Sequence, residues 1–147
     1  MRTESIQKFF ALQRVERVLL LRSLFLVGLI RGGLFVLSLS DLIKILHAVS
    51  RQSSSNNLYR NSIRSIAWAV TVASHYIPRA TCLVQGLATQ VLLADEGIPS
   101  NLCIGVAKDD PRSFEAHAWV ETAGWVVIGG PQQDRYTRLT SFEWGIK

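Results

Sequence analysis

Two cysteines, Cys82 and Cys103, are all that the 147 residues contain. So small a number excludes a disulfide framework and a four-ligand zinc site, and makes a reducing compartment the default. A membrane-crossing run is also missing. Between Val18 and Val49, Arg22, Arg31, Asp41 and Lys44 interrupt the apolar residues, and the longest uncharged piece, Gly32 to Ser40, is far short of the roughly 20 residues needed to cross a bilayer. Two amphipathic or buried helices are expected there, and peripheral membrane contact is not. Acids are outnumbered, Asp+Glu 11 against Lys+Arg 16 for a net charge of +5. The bases are scattered, with no tight run and no interleaved aromatics, so no nucleic-acid surface is expected; a solvated helix face accounts for them, with an acidic peptide or partner protein as the sharper alternative. The first 22 residues carry Glu4, Glu16 and several arginines, with no small-residue cleavage pattern after a clean apolar core. No signal peptide is expected.

What is present is apolar. With 48% hydrophobic residues against 18% charged, the chain can build a real core and leaves apolar surface for a partner. The length suits one domain with a helical appendage: an N-terminal helical region over residues 1–50, and a core over 58–147. Leu12, Val15, Leu19, Leu26 and Ile30 recur at helical steps, predicting a helix from Ser5 to about Ile30 that Gly32-Gly33 ends. A second helix is expected over Leu34 to Ala48, with the polar turn Ser38 to Asp41 as an alternative entry. RQSSSNN, Arg51 to Asn57, reads as a loop. Two further helices follow, one from about Asn61 to His75, the other beginning just after Thr81 and running to about Asp95, with Gly97 as its stop.

After Pro99 the period changes to two. Leu102, Ile104 and Val106 alternate with Cys103, Gly105 and Ala107; Asp109-Asp110-Pro111 makes a turn; Phe114, Ala116, Ala118 and Val120 then alternate with Glu115, His117, Trp119 and Glu121. A third run, Trp125 to Ile128, follows a turn at Thr122 to Gly124. Three antiparallel strands after a series of helices make an α+β fold.

Cys82 would open the second of those later helices. A thiol at a first turn sits near the positive end of the helix dipole and beside unpaired N–H groups, which stabilise a thiolate and can hold an oxyanion. An imidazole from a facing strand would complete an ion pair, and His117 is the candidate. Spacing alone leaves the ordinary alternative open, because cysteine is commonly buried and a lone strand histidine is commonly structural.

The surrounding residues go further. PRATCLVQGLATQVLLADEGIPSNLCIGVAK followed by FEAHAWVETAGWVVIGG resembles the transglutaminase-like cysteine peptidase superfamily, with its cysteine at a helix start, its Gly-Ile-Pro after that helix and its His-Ala-Trp-Val-Glu strand. ATCLVQGLA, LCIGVAK and EAHAWVE look in particular like the leader peptidases of lasso-peptide biosynthesis, the stand-alone counterpart of the peptidase part of the fused B protein. The resemblance spans roughly residues 60 to 140 and implies a transglutaminase/papain-like core. It implies a cytoplasmic bacterial enzyme of RiPP maturation and antibiotic biosynthesis, with Cys82 as nucleophile and His117 as general base and later acid. Its substrate would be the leader-core junction of a precursor peptide, its partners a small leader-recognition protein and an ATP-dependent lasso cyclase. That chemistry requires no metal and no organic cofactor.

The third member of the site departs from the pattern. The family commonly places an aspartate after Gly-Trp-x-x-x, and here Gly124 to Ile128 is followed by Gly129. Pairing Glu121 with Trp125 puts His117 opposite Gly129, so the acid is missing where it is expected. Asp134, Glu121 or a backbone carbonyl could orient the imidazole instead. Two other functions stay open: a catalytically inactive subunit that presents the precursor, and an acyl transferase that passes the thioester to an amine. Cys103 is expected in the core, Trp119 against His117, Gln85 in the cleft or in solvent, and His47 and His75 at the surface or an interface.

Overall fold

In the computed structural model, residues 10–52, 63–107, 115–130 and 135–144 are described, together with Gln7 and Arg112. Helices α1 (Arg14–Val36), α2 (Leu39–Gln52), α3 (Ile63–Tyr76) and α4 (Cys82–Asp95) come first. Strands β1 (Ser100–Ala107), β2 (Ala116–Thr122), β3 (Trp125–Ile128) and β4 (Tyr136–Trp144) form one antiparallel sheet in the order β3-β2-β1-β4. The fold is α+β, as the change of period implied.

Helix α1 corrects two boundaries. A capping box closes its start, with the Gln13 side chain taking the N3 N–H and the Glu16 carboxylate taking the Gln13 N–H at 3.2 Å; Gln7, Phe10 and Ala11 are helical too, so the helix expected from Ser5 is broken at Leu12-Gln13 and α1 begins at Arg14. It also runs through Gly32-Gly33 to Val36 instead of ending near Ile30. Gly33 is there for close approach: a Cβ on it would lie 3.0 Å from Leu42 of α2. Contrary to the expectation from its charges, α1 is, among the described residues, the one helix long and apolar enough to cross a membrane; Leu19, Val27 and Ile30 are packed in the core, while Leu21, Phe25, Leu29, Phe35 and Val36 are exposed. Helix α2 begins at Leu39, after Ser38 has exchanged side-chain and backbone hydrogen bonds with Asp41, and extends to Gln52, two residues into the expected loop. The rest of that loop and the turn at Asp109 to Pro111 lie outside the described residues.

Helix α4 is central. From Val84 to Leu93 nearly every position is buried, because α1, α2 and α3 cover one side of it and the sheet the other. Its ends match the sequence signals. Thr81 is the extended N-cap and Cys82 the first helical residue; at the other end Ile98 N–H donates to Leu93 O and Gly97 N–H to Ala94 O, with Gly97 at φ +72, a Schellman stop.

On β2, Ala118 and Val120 enter the main core with α4. His117, Trp119 and Glu121 alternate onto the other side, where Trp119 forms a second small cluster with Cys103 and Tyr136. The β2–β3 register differs from expectation. Thr122, not Glu121, pairs with Trp125 around the two-residue turn Ala123-Gly124, both at positive φ, and a bulge then pairs Val120 with Ile128.

A fourth strand, β4, was not foreseen. It runs antiparallel to β1 at the sheet edge, and its residues from Thr137 to Ser141 are exposed, so it shows no apolar alternation to read.

Candidate functional site

The candidate residues come from helix α4 and from β2, with Cys82 packed against the main core and His117 on the other side of β2, beside the rings of Trp119 and Tyr136. Helix α4 ends beside the start of β1, where Thr122 donates to Pro99 O at 2.6 Å, and its first turn lies at the other end of the helix. Cys82, half-buried, opens that turn. Thr81 makes no side-chain cap and the first turn holds no acid, so no side chain competes there for the positive end of the helix. Just before it, Ile77 to Ala80 form a turn with Pro78 second and Arg79 third, Arg79 taking φ +59, a conformation most side chains avoid.

His117, also half-buried, is anchored by its ring. Its Nε2 lies 2.6 Å from the carbonyl oxygen of Gly129. A carbonyl only accepts, so Nε2 carries the proton and Nδ1 keeps its lone pair in the neutral ring. Gly129 itself is required: it has φ +96, and a Cβ there would fall 2.5 Å from Trp119 Cβ and 2.6 Å from Trp119 Cα. An aspartate cannot occupy this position on this backbone.

Two rings lie against the imidazole. The Trp119 centroid is 6.2 Å away at 24°, and that of Tyr136 is 5.0 Å away at 32°. Each is pinned by a carboxylate at or beside β2: Tyr136 Oη donates to Glu115 Oε1, just before the strand, at 2.8 Å, and Trp119 Nε1 to Glu121 Oε1 at 2.8 Å. The phenol of Tyr136 is held above its ordinary value, first by the hydrogen bond to Glu115, then by burial, with smaller contributions from the Glu115 and Cys82 charges and an opposing one from Arg135.

A model of the transglutaminase-like superfamily matches residues 26–141 of the chain. The chain belongs to this superfamily. Comparison with curated proteins and with solved structures returns no match. In a transglutaminase-like domain the general chemistry is that of a cysteine peptidase or acyl transferase, and the Cys82 helix and the His117 strand both fall inside the matched residues.

Set against that transglutaminase-like pattern, the candidates for the third position separate. Glu121 does not orient His117: its Oε1 accepts from both Trp119 Nε1 and Arg138 Nη2, each at 2.8 Å. Asp134 lies outside the described residues. The backbone carbonyl is the group found on the ring. Cys103 is fully buried, and burial together with the Glu121 charge pushes its thiol up, against a smaller effect of Arg138. Gln85, half-buried, turns its amide back toward Ala80 O at 3.5 Å. His75 is exposed and pairs with Thr71 O at 2.8 Å. Sequence reasoning missed Tyr136 and the partner role of Glu115; the one signal available was that Glu115 shares the side of His117 two residues along an alternating strand.

Proposed function

We propose that this chain is a cysteine peptidase that removes the leader from a ribosomally made lasso precursor peptide before macrocyclisation. The observation that supports the catalytic part is the anchoring of His117 Nε2 on Gly129 O, which leaves Nδ1 free to act as the base for Cys82, the first residue of α4. The lasso assignment rests on the wording around Cys82 and His117.

The steps follow from the two groups. Nδ1 of His117 takes the Cys82 proton, and the thiolate adds to the carbonyl carbon of the last leader residue, with first-turn N–H groups of α4 facing the oxyanion. The imidazolium returns that proton to the departing amine as the C–N bond breaks, leaving a thioester. Water, deprotonated by the same nitrogen, adds to the thioester; the S–C bond breaks and the thiol is restored. The products are a leader acid and a core peptide with a free N-terminal amine, ready for an ATP-dependent cyclase. A small leader-recognition protein would deliver the precursor, and both partners belong to the same cytoplasmic pathway.

A second reading keeps the thioester and changes the acceptor to an amine. Incubation of precursor and recognition protein with wild type, Cys82→Ala or His117→Ala, read by mass, separates the outcomes. The expected result is a free leader acid with wild type alone. A cross-linked product would mean acyl transfer, and full cleavage by Cys82→Ala would end the proposal. No turnover by wild type with every partner present would leave the chain as a precursor-presenting subunit.

A further inference from the structure

The acid missing beside His117 leaves a question of charge. A carbonyl fixes the tautomer of the imidazole but brings no net charge to balance the imidazolium that forms when Cys82 loses its proton. Two carboxylates, Glu115 just before β2 and Glu121 within it, stand two and four residues from His117 in the alternation, and they differ in what they hold. Glu121 is neutralised by the ion pair with Arg138, whose guanidinium also lies 5.8 Å from the Trp119 ring. Glu115 is bound to a neutral hydroxyl, that of Tyr136, whose ring is the nearer of the two to His117.

Resting on the Cys82–His117 reading above, we propose that Glu115 and Tyr136 form a positioning pair for His117, in which Tyr136 fixes the ring and, polarised by Glu115, stabilises its protonated form. The geometry supports each half. A ring centroid 5.0 Å from the imidazole is within range of a cation–π contact, and a phenol donating to a carboxylate has a more electron-rich face. Glu115 is also tied in place through its backbone, Ala107 N–H donating to Glu115 O at 2.9 Å, so the pair braces the strand just before His117. The titratable and charged groups around His117 on the packed elements are Glu115 just before β2, Glu121 of β2, Tyr136 and Arg138 of β4, Arg135 just before it and Cys103 of β1, with Cys82 of α4 as the proposed dyad partner; β3 has none.

The test is the pH profile of Cys82 alkylation by iodoacetamide, followed by mass between about pH 5 and 9, since only thiolate reacts. It needs no precursor and no partner. In wild type, rapid alkylation should extend below neutral pH and disappear in His117→Ala. Glu115→Gln keeps an acceptor for Tyr136 and removes the charge, while Tyr136→Phe keeps the ring and disconnects the acid. Each should slow alkylation near neutral pH by about tenfold and narrow the reactive range, an effect of roughly one pH unit on a half-buried ion pair. A variant that loses thermal stability yet keeps the wild-type profile assigns the pair a structural role only and overturns the proposal. Profiles and stabilities both matching wild type overturn it as well. If His117→Ala leaves the wild-type profile unchanged, the dyad itself fails, and this proposal with it.

Discussion

The imidazole Nε2 of His117 donates to the carbonyl oxygen of Gly129 across 2.6 Å. The bond puts a backbone atom where an acidic side chain usually holds such a ring. It also assigns the tautomer, because a carbonyl cannot donate back, and so determines which nitrogen is free to act as base.

The glycine is therefore not a simple loss of acid. Gly129→Asp should not restore a triad: its Cβ would enter the backbone of Trp119, and φ +96 is poor for any L side chain. The expected result is destabilisation by about 3 kcal/mol or more, from backbone strain plus overpacking, with peptidase activity reduced. Denaturant unfolding beside a cleavage assay checks it. A stable and faster Gly129→Asp variant would show that the carbonyl is a weak substitute for a missing carboxylate.

The two thiols should separate in reactivity. Cys103 is fully buried and its thiol is held in the protonated form, whereas Cys82 is half-exposed at an uncapped helix start. A maleimide or iodoacetamide probe in the folded protein should label Cys82 at least about tenfold faster. Peptide mapping after brief labelling reads this directly, and equal labelling of the two thiols would contradict the packing around Cys103.

Much of this architecture was legible because the local chemistry is strong. Thr81-Cys82 marks a helix start and Gly97 a Schellman stop whatever the rest of the chain does, and the alternation from Ala116 to Glu121 separates a core side from the side of His117. The Glu115–Tyr136 contact joins residues 21 apart in sequence, one just before β2 and one at the start of β4, strands that are not neighbours in the sheet. No local pattern encodes it, and β4 lacks the buried face that would have announced a strand. Gly32-Gly33 misled for the opposite reason: glycine weakens a helix locally, but here the approach of Leu42 and the packing of α1 on the core outweigh that preference.

Arg22 of α1 and Asp95 of α4 form an ion pair in which the carboxylate is almost buried. Burial outweighs the attraction of Arg22, so the Asp95 carboxyl is raised above its ordinary value. An acid bound to its proton more tightly in the folded state than in the unfolded one adds stability below the unfolded value, and loses it as pH rises through the folded value. Relative to Asp95→Asn, wild type should therefore lose stability as pH rises from about 4 toward neutral. Urea unfolding of both proteins at several pH values checks the sign; a difference that moves the other way would mean that Arg22 dominates. Replacing both partners by apolar residues, Arg22→Met with Asp95→Leu, should be neutral or stabilising, as for other buried pairs.

The N-terminal helices leave apolar surface uncovered. Leu21, Phe25 and Leu29 of α1 are more than half exposed, and with Ile45 and Val49 of α2 they line a groove of about 500 Å³ whose Arg22 and Asp95 neutralise one another. A groove with its charges satisfied internally favours an apolar occupant, and if the proposed function holds, the small leader-recognition protein or the cyclase is the expected one. Leu21→Glu combined with Phe25→Glu changes side chains that the core does not bury, so stability should shift by no more than about 1 kcal/mol. Binding of the recognition protein or of the cyclase, measured by calorimetry, should weaken at least about tenfold, because two apolar anchors are replaced by charges that contact would desolvate. Cys82 alkylation should keep its wild-type profile, separating docking from chemistry. Unchanged binding of the recognition protein with lost binding of the cyclase would give the groove to the cyclase, and unchanged binding of both would refute the expectation.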